Sequence, residues 1–385
     1  MSKNYSIGTR IKKVFGKIHL WLGLGTGLLF FIICISGAIL TWKPEISSLL
    51  YKEKVENEQR SFAPIPKFKS VLEKAFPEGD FRTIHFGDSI SATKVLLFVP
   101  GTYYYAFLNP YSAEIIHLQD MKKGWLNKLV PLHRNLLLGK VGEEVVHWVT
   151  LISFILLFTG IYLWWPRNGQ GMARSLQIKW GSRFKRINYD LHKTLGFYSL
   201  WIGILSVLTG IFWGFSGVQN ALQMVTGEQI IEYDTPRSKK PSKVKILSEV
   251  DIMEKLAKQF RRNFPKKSVN ISMPHSETDP IHITVIDSYQ RVYSTDHYYY
   301  DRYSGKQISG SFKPGSFSDK STYSYLNGLV YDIHLGNILG FWGRLLLFIS
   351  TLFISTLPIT GFLIWWGRRN KKSRKTDAGN SVTTE

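Results

Sequence analysis

The sequence is short of cysteine and of acidic residues, and both shortages narrow what the chain can be. Among 385 residues there is one cysteine, Cys34. That excludes an intramolecular disulfide, a CxxC redox pair, a thiolate metal cluster and the CxxCH attachment of a c-type haem. Any cofactor must be held by other ligands. Asp and Glu number 28 against 49 Lys and Arg, a net charge of +21. The minimum parts of several enzyme classes are missing too: the sequence has no Gly-rich phosphate loop, no GxSxG elbow, no HExxH and no GxGxxG opening a helix.

What is present is apolar residues gathered into long runs, while the mean hydropathy stays at -0.07. Four runs of 24 residues stand out, His19 to Trp42, Gly142 to Trp165, His192 to Phe215 and Gly343 to Trp366. As helices each reaches roughly 36 Å, enough to cross a hydrocarbon core of about 30 Å with some tilt. The first run is longer than a cleaved signal segment and is expected to be a retained anchor. Tryptophans at the run ends (Trp21, Trp42, Trp164, Trp165, Trp342, Trp365, Trp366) suit an interfacial belt.

Three short segments carry concentrated positive charge: Lys3, Arg10, Lys12, Lys13 and Lys17; Arg167, Arg174, Lys179, Arg183, Lys185 and Arg186; and Arg368, Arg369, Lys371, Lys372, Arg374 and Lys375. If every run crosses once, these segments share a side, which the positive-inside rule makes cytoplasmic. Topology and anionic lipid account for this charge, and no nucleic acid is needed to explain it. The expected organisation is therefore a cytoplasmic N-terminus (1–18), TM1 (19–42), an outer domain (43–141), TM2 (142–165), a basic cytoplasmic loop (166–191), TM3 (192–215), a second outer domain (216–342), TM4 (343–366) and a basic cytoplasmic tail (367–385). In a bacterium with two membranes the outer domains are periplasmic and the spans lie in the inner membrane.

The sequence also repeats itself. At a shift of 201 residues His133 falls on His334, Gly139 on Gly340, Gly142 on Gly343, Thr159-Gly160 on Thr360-Gly361, Trp164-Trp165 on Trp365-Trp366 and Arg167 on Arg368. At a shift of 173, His19 falls on His192, Gly23 on Gly196 and Gly37 on Gly210. An internal duplication is the economical reading. The outer domains follow suit. The first offers an amphipathic helix at 68–76, strands at 94–99 and 103–107, and the closing run Asn109 to Glu114. The second offers a helix at 250–264, strands at 281–286 and 292–300, and the closing run Asp301 to Lys306. Both read as small α+β units.

Ten histidines occur, and the duplication sorts them. His19 and His192 open spans one and three; His133 and His334 precede spans two and four. Ionisable residues at membrane depth mark function by default. Two imidazoles per membrane face suit a b-type haem, which takes two axial nitrogens, better than a structural zinc, which wants four N/S ligands. Two haems, one near each face, make an electron path across the membrane. His147, deeper in span two, falls on Phe348 in the repeat and is kept as an alternative to His133. His85, His117, His275, His282 and His297 have no paired spacing and read as surface residues. The spans hold no internal acidic residue and little proline beyond Pro358, which disfavours a transporter. The loop between spans two and three is too short for a flavin or NAD domain, so electrons arrive from another molecule: a quinol, a reduced flavin or a reductase.

The runs Leu132 to Gly139, Thr159 to Arg167 and Asp190 to Gly196 resemble those of the PepSY-associated transmembrane family, which includes inner-membrane siderophore-iron reductases of Gram-negative bacteria. The likeness covers nearly the whole chain, the outer domains being similar to PepSY modules. It implies a four-helix membrane core with two b haems that reduces a ferric siderophore in the periplasm and releases Fe(II), as befits iron acquisition. His19 and His192 would hold the inner haem, His133 and His334 the outer one. The alternative is a non-enzymatic membrane protein whose PepSY domains bind a peptide, a peptidase or another periplasmic partner. Two departures stand out: Ala113 replaces the glycine of the first closing turn, and Arg134 has no basic partner at Leu335. The ferric substrate is expected in a cleft under the outer domains, with Tyr103, Tyr104, Tyr105, Tyr298, Tyr299 and Tyr300 as candidate lining and Lys122, Lys123 and Arg134 as candidate attraction for an anionic chelate.

Overall fold

The computed structural model describes residues 7–51, 53–58, 61–166, 169–227, 236–240, 248–308 and 322–380. Lys3 and Arg167 lie outside these, as do the side chains of Lys371, Lys372, Arg374 and Lys375. In chain order the helices and strands are α1 (Ile7–Thr41), α2 (Lys43–Leu50), α3 (Ile65–Ala75), β1 (Asp80–Phe86), β2 (Thr93–Val99), β3 (Thr102–Leu108), β4 (Ile115–Asp120), α4 (Trp125–Asn135), α5 (Gly139–Trp164), α6 (Gly169–Ser175), α7 (Phe184–Gly214), α8 (Ser216–Thr226), α9 (Glu249–Asn263), β5 (Ser268–Ser272), β6 (Ile281–Ile286), β7 (Asp296–Tyr300), β8 (Gln307–Ile308), α10 (Thr322–Leu335) and α11 (Gly340–Asn380). They form two units: a helical one (residues 1–41, 129–218 and 333–385) and a sheet one (42–128 and 219–332).

In the helical unit, α1, α5, α7 and the α11 region are long and apolar enough to cross a membrane. The chain is a membrane protein. Each helix begins before its apolar run, α1 at Ile7 and α7 at Phe184, because the basic residues flanking a span are good helix formers. The four pack as a ring, α1 against α5 and α11, and α7 against α5 and α11. Large apolar side chains point outwards, Trp21 being 64% and Leu28 73% exposed, while Ser36, Ala38, Ser153, Ser199 and Thr209 are buried. That inversion of the soluble pattern is what lipid permits, since small residues let backbones approach where no hydrophobic effect drives helices together. Gly27 illustrates it: a Cβ there would lie 3.1 Å from the Pro358 ring.

Two reverse turns set up the site. The turn between α4 and α5 folds back so tightly that a Cβ on Gly142 would overlap the Asn135 carbonyl. Between α10 and α11 the same fold-back would drive a Cβ on Gly343 into the Gly336 carbonyl. Only glycine fits either place. The first turn also holds Leu136 and Leu137 at φ 53° and 62°, left-handed values that cost a branched side chain about 1–2 kcal/mol apiece.

The sheet unit departs from the expectation of two separate α+β modules. Its strands make one antiparallel eight-stranded sheet, ordered β4-β3-β2-β1-β5-β6-β7-β8. The two halves meet at β1 and β5, paired Thr83↔Ser272, Ile84↔Ile271, His85↔Asn270 and Phe86↔Val269. Left apart, each half would expose an unpaired edge; pairing removes both. A register shift between Phe81 and Thr83 breaks the alternation of β1, and β5, five residues with two apolar side chains, is too short to stand out. The strand expected at 292–300 begins only at Asp296. Helices α3 and α9 cover one face, burying Phe68, Leu72, Met253 and Leu256 against Ile84, Val95, Leu97, Ile271 and Ile283. Complete burial of one such side chain is worth about 1.5–3 kcal/mol.

The closing turns match. Asn109 Oδ1 accepts the amides of Tyr111 (2.8 Å) and Ser112 (3.1 Å), and Asp301 Oδ1 those of Tyr303 (3.1 Å) and Ser304 (2.8 Å). Ala113 adopts φ 61° where Gly305 has 66°. Alanine therefore takes up the glycine conformation, and the first turn keeps its geometry.

Candidate functional site

Helix α1 carries His19 and α5 carries Thr159 opposite it, with His19 Nδ1 3.0 Å from Thr159 Oγ1. The arrangement recurs on the other helices: His192 of α7 has its Nδ1 2.9 Å from Thr360 Oγ1 of α11. Beside each threonine sits a glycine under the imidazole. A Cβ at Gly160 would lie 3.3 Å from His19 Cε1, and one at Gly361 3.3 Å from His192 Cε1. Asn188, one turn before His192, donates its side-chain amide to the Thr360 carbonyl at 3.0 Å and fixes α7 against α11. The two rings face each other with centroids 6.3 Å apart and planes at 83°.

His133 and His334 stand at the ends of α4 and α10, where the reverse turns bring them back against the helices. His133 Nδ1 donates to the Ile33 carbonyl at 2.8 Å. A Cβ on Gly37 would lie only 2.8 Å from His133 Cε1, so α1 needs glycine there for the ring to enter. His334 Nδ1 is 2.8 Å from Thr209 Oγ1, and its ring packs on Trp213 at 5.3 Å. These two centroids are 6.1 Å apart.

The hydrogen bonds set the chemistry. A carbonyl only accepts, so His133 carries its proton on Nδ1. Each threonine hydroxyl donates to its own helix, Thr159 to the Ile155 carbonyl (2.8 Å), Thr209 to Leu205 (2.8 Å) and Thr360 to Thr356 (3.0 Å). That leaves the oxygen to accept from histidine. All four rings thus have Nδ1–H committed and present the Nε2 lone pair, the state in which imidazole binds a metal. With a metal–nitrogen bond of about 2.0 Å and roughly 1.15 Å from nitrogen to ring centre, two imidazoles facing across one ion sit about 6.3 Å apart. Both pairs have that separation. Among the described residues no three His, Cys, Asp or Glu side chains converge, so each pair offers two nitrogens and no more.

His147, the alternative to His133, packs on Phe215 (centroids 6.0 Å) and against Gly214. The six tyrosines do not line one surface. Strand alternation turns Tyr104 onto Phe76 (5.1 Å) and Tyr298 and Tyr300 onto Phe260 (4.9 and 6.0 Å) in the core. Tyr105 and Tyr299 face the other way, Tyr105 towards His85 (5.9 Å) and Tyr299 stacked on His282 (4.5 Å). Lys123 pairs with Asp120 at 3.4 Å, and Arg134 lies 4.0 Å from Glu143.

Of the sheet histidines only His275 is exposed as a surface residue; His85, His117, His282 and His297 are half-buried. His282 Nε2 lies 3.1 Å from His297 Nδ1 with the rings nearly coplanar, at 12°. His117 stacks on Tyr51 at 5.0 Å, His275 lies 3.4 Å from Asp80, and the Nε2 of His85 is sealed from solvent. Burial pushes both His85 and His282 down to about 4. Strand pairing aligns such residues from distant segments, which single-sequence spacing does not reveal. The residues that hold the four paired rings were equally silent: Thr159 and Thr360 appear in the sequence only as halves of a repeated Thr-Gly, and Thr209 and the Ile33 carbonyl carry no motif.

The family model described as PepSY-associated TM region matches residues 17–368. No curated protein matches the chain.

Proposed function

The chain belongs to the PepSY-associated TM family, and from that premise we propose that it is a di-haem b oxidoreductase of the bacterial inner membrane that carries electrons outwards to a ferric siderophore. The observation that carries the reading is the pair of facing imidazoles at each of two places, 6.3 and 6.1 Å between ring centres, with every Nδ1 occupied. Two nitrogens and no third donor fit a metal whose other positions a macrocycle fills, and fit a closed tetrahedral zinc site poorly.

His19 and His192 hold the haem nearer the basic, cytoplasmic side, and His133 and His334 the one nearer the periplasm. Glycines 37, 160 and 361 keep the ring faces clear, and the back-bonded threonines keep the imidazoles in one tautomer. Bound haem supplies a one-electron carrier, so one electron per ferric chelate converts Fe(III) to Fe(II), which hard oxygen donors hold less well. The two-fold recurrence of the His–Thr contact and of the reverse turn supports an internal duplication. The basic segments support cytoplasmic termini and a periplasmic sheet unit. The electron donor is a quinol, a reduced flavin or a reductase acting from the cytoplasmic side.

The test is direct: the purified full chain is reduced under nitrogen and mixed with a ferric trihydroxamate and a coloured ferrous chelator. Haem reoxidation with release of one Fe(II) per electron is expected. Haem that stays reduced before hydroxamate, catecholate and citrate chelates alike would contradict the substrate assignment.

A further inference from the structure

We propose, resting on the haem reading above, that Thr159, Thr360 and Thr209 are positioning residues whose hydroxyls set the electron donation of three axial imidazoles, one haem being supported by two hydroxyls and the other by one hydroxyl and one backbone carbonyl. Each hydroxyl proton goes to the threonine's own helix. Thr159 donates to Ile155 and Leu156 carbonyls (2.8 and 3.1 Å), Thr360 to Thr356 and Leu357 (3.0 and 3.1 Å), Thr209 to Leu205 and Ser206 (2.8 and 2.9 Å). With its proton held by its own helix, each oxygen has only a lone pair to turn towards Nδ1, at 3.0, 2.9 and 2.8 Å respectively.

An accepted Nδ1–H bond makes the opposite nitrogen a stronger donor, and a stronger axial donor favours the ferric state. The fourth ring differs in degree. The first three also meet a backbone carbonyl, of Leu156, Leu357 and Ser206, but their hydroxyls stand at 2.8–3.0 Å, whereas at His133 the hydroxyl is 3.3 Å away and the carbonyl is the near partner. His133 donates to the Ile33 carbonyl at 2.8 Å, a group no side-chain substitution deletes. Ser36 stands 3.3 Å from the same Nδ1, but its own proton goes to Ile32 at 2.7 Å and Ile33 at 3.0 Å, and the carbonyl remains when the hydroxyl is removed. The two haems are therefore separately adjustable: Thr159 and Thr360 act on one, and Thr209 on the other. A threonine that merely filled a helix groove would be replaced by isosteric valine without electronic effect.

The test is a potentiometric titration of the purified, haem-loaded full chain, with haem counted by pyridine haemochrome in every variant. In Thr360→Val one haem is expected to become easier to reduce, by up to about tenfold in its oxidised-to-reduced ratio, or about 59 mV for one electron. The other haem stays unmoved. Thr209→Val moves that second haem instead, Thr360→Ser keeps the wild-type value, and Ser36→Ala moves neither. Loss of one haem from Thr360→Val but not from Thr360→Ser also supports the proposal, because the hydroxyl is then what the imidazole needs. Unmoved potentials in a fully loaded Thr360→Val, equal movement of both haems, or a Thr360→Ser that behaves as the valine would overturn it. A wild-type chain that holds no haem overturns the haem reading itself and this inference with it.

Discussion

Histidines meet in pairs in both units, but they meet differently. In the sheet unit His282 and His297 are bonded directly to each other, nitrogen to nitrogen at 3.1 Å, with centroids at 5.3 Å. In the helical unit the two pairs stand at 6.3 and 6.1 Å and every Nδ1 is bonded away from its partner ring. The sheet pair is closed, since one nitrogen of each ring is spent on the other. The helical pairs are open, their ring centres standing about as far apart as two imidazoles on one metal ion. A histidine pair is therefore diagnosed by what its second nitrogen does, not by proximity.

Substitution at the open pairs is expected to have the largest effect. His192→Ala is expected to lower haem from about two per chain to about one while the His133/His334 haem keeps its spectrum, read by haemochrome assay and reduced-minus-oxidised spectra. Removing the closed pair with His282→Phe leaves the haem count unchanged. A smaller but sharper blow falls at Gly37. Its added methyl in Gly37→Ala would lie 2.8 Å from His133 Cε1, and haem retention at that site is expected to weaken about 10–100-fold. Gly160→Ala, at 3.3 Å from His19, has the milder effect at its own haem only.

The closed and buried sheet histidines show instead in pH dependence. His85 and His282 fall from 6.5 to about 4 on folding, in each case chiefly through burial. The unfolded chain takes up protons below 6.5 while the folded one does not, so stability falls as pH drops from about 6.5 to about 4, by at most roughly 3 kcal/mol for each group. Thermal midpoints of the detergent-solubilised chain across that range should show the decline, and His282→Phe should shallow it. The smallest effect separates the two closing turns. Gly305→Ala meets Ile252 Cγ2 at 3.1 Å from a left-handed backbone and is expected to cost about 1–2 kcal/mol. Ala113→Gly relieves a similar strain but deletes a buried methyl worth about 0.8 kcal/mol, and should be nearly neutral. Chemical denaturation reads both.

Much of the helical unit was legible because lipid demands long apolar runs, and the recurrence of residues at fixed shifts singled out His19, His133, His192 and His334 without any geometry. Helix ends were less so, because Lys and Arg continue a helix as readily as they flank one. The Thr-Gly repeat was visible, but not that its hydroxyls would meet imidazoles 140 and 168 residues away in the chain, since that depends on packing. In the sheet unit local patterns found β2, β3 and β6, whereas β1 and β5 take their meaning only from pairing with each other. That pairing joins residues 183 or more positions apart, such as Phe86 and Val269, and no local signal specifies it. The tyrosine runs misled for an elementary reason: consecutive residues of a strand face opposite sides.

The two haems proposed between the open histidine pairs of the helical unit can be counted directly. The measurement is the pyridine haemochrome count of the full chain purified in detergent from haem-replete cells, alongside its oxidised and dithionite-reduced spectra. The account predicts about two b haems per chain, one lost on His192→Ala and the other on His334→Ala. A folded protein that is colourless, or one that keeps both haems in both variants, would contradict it.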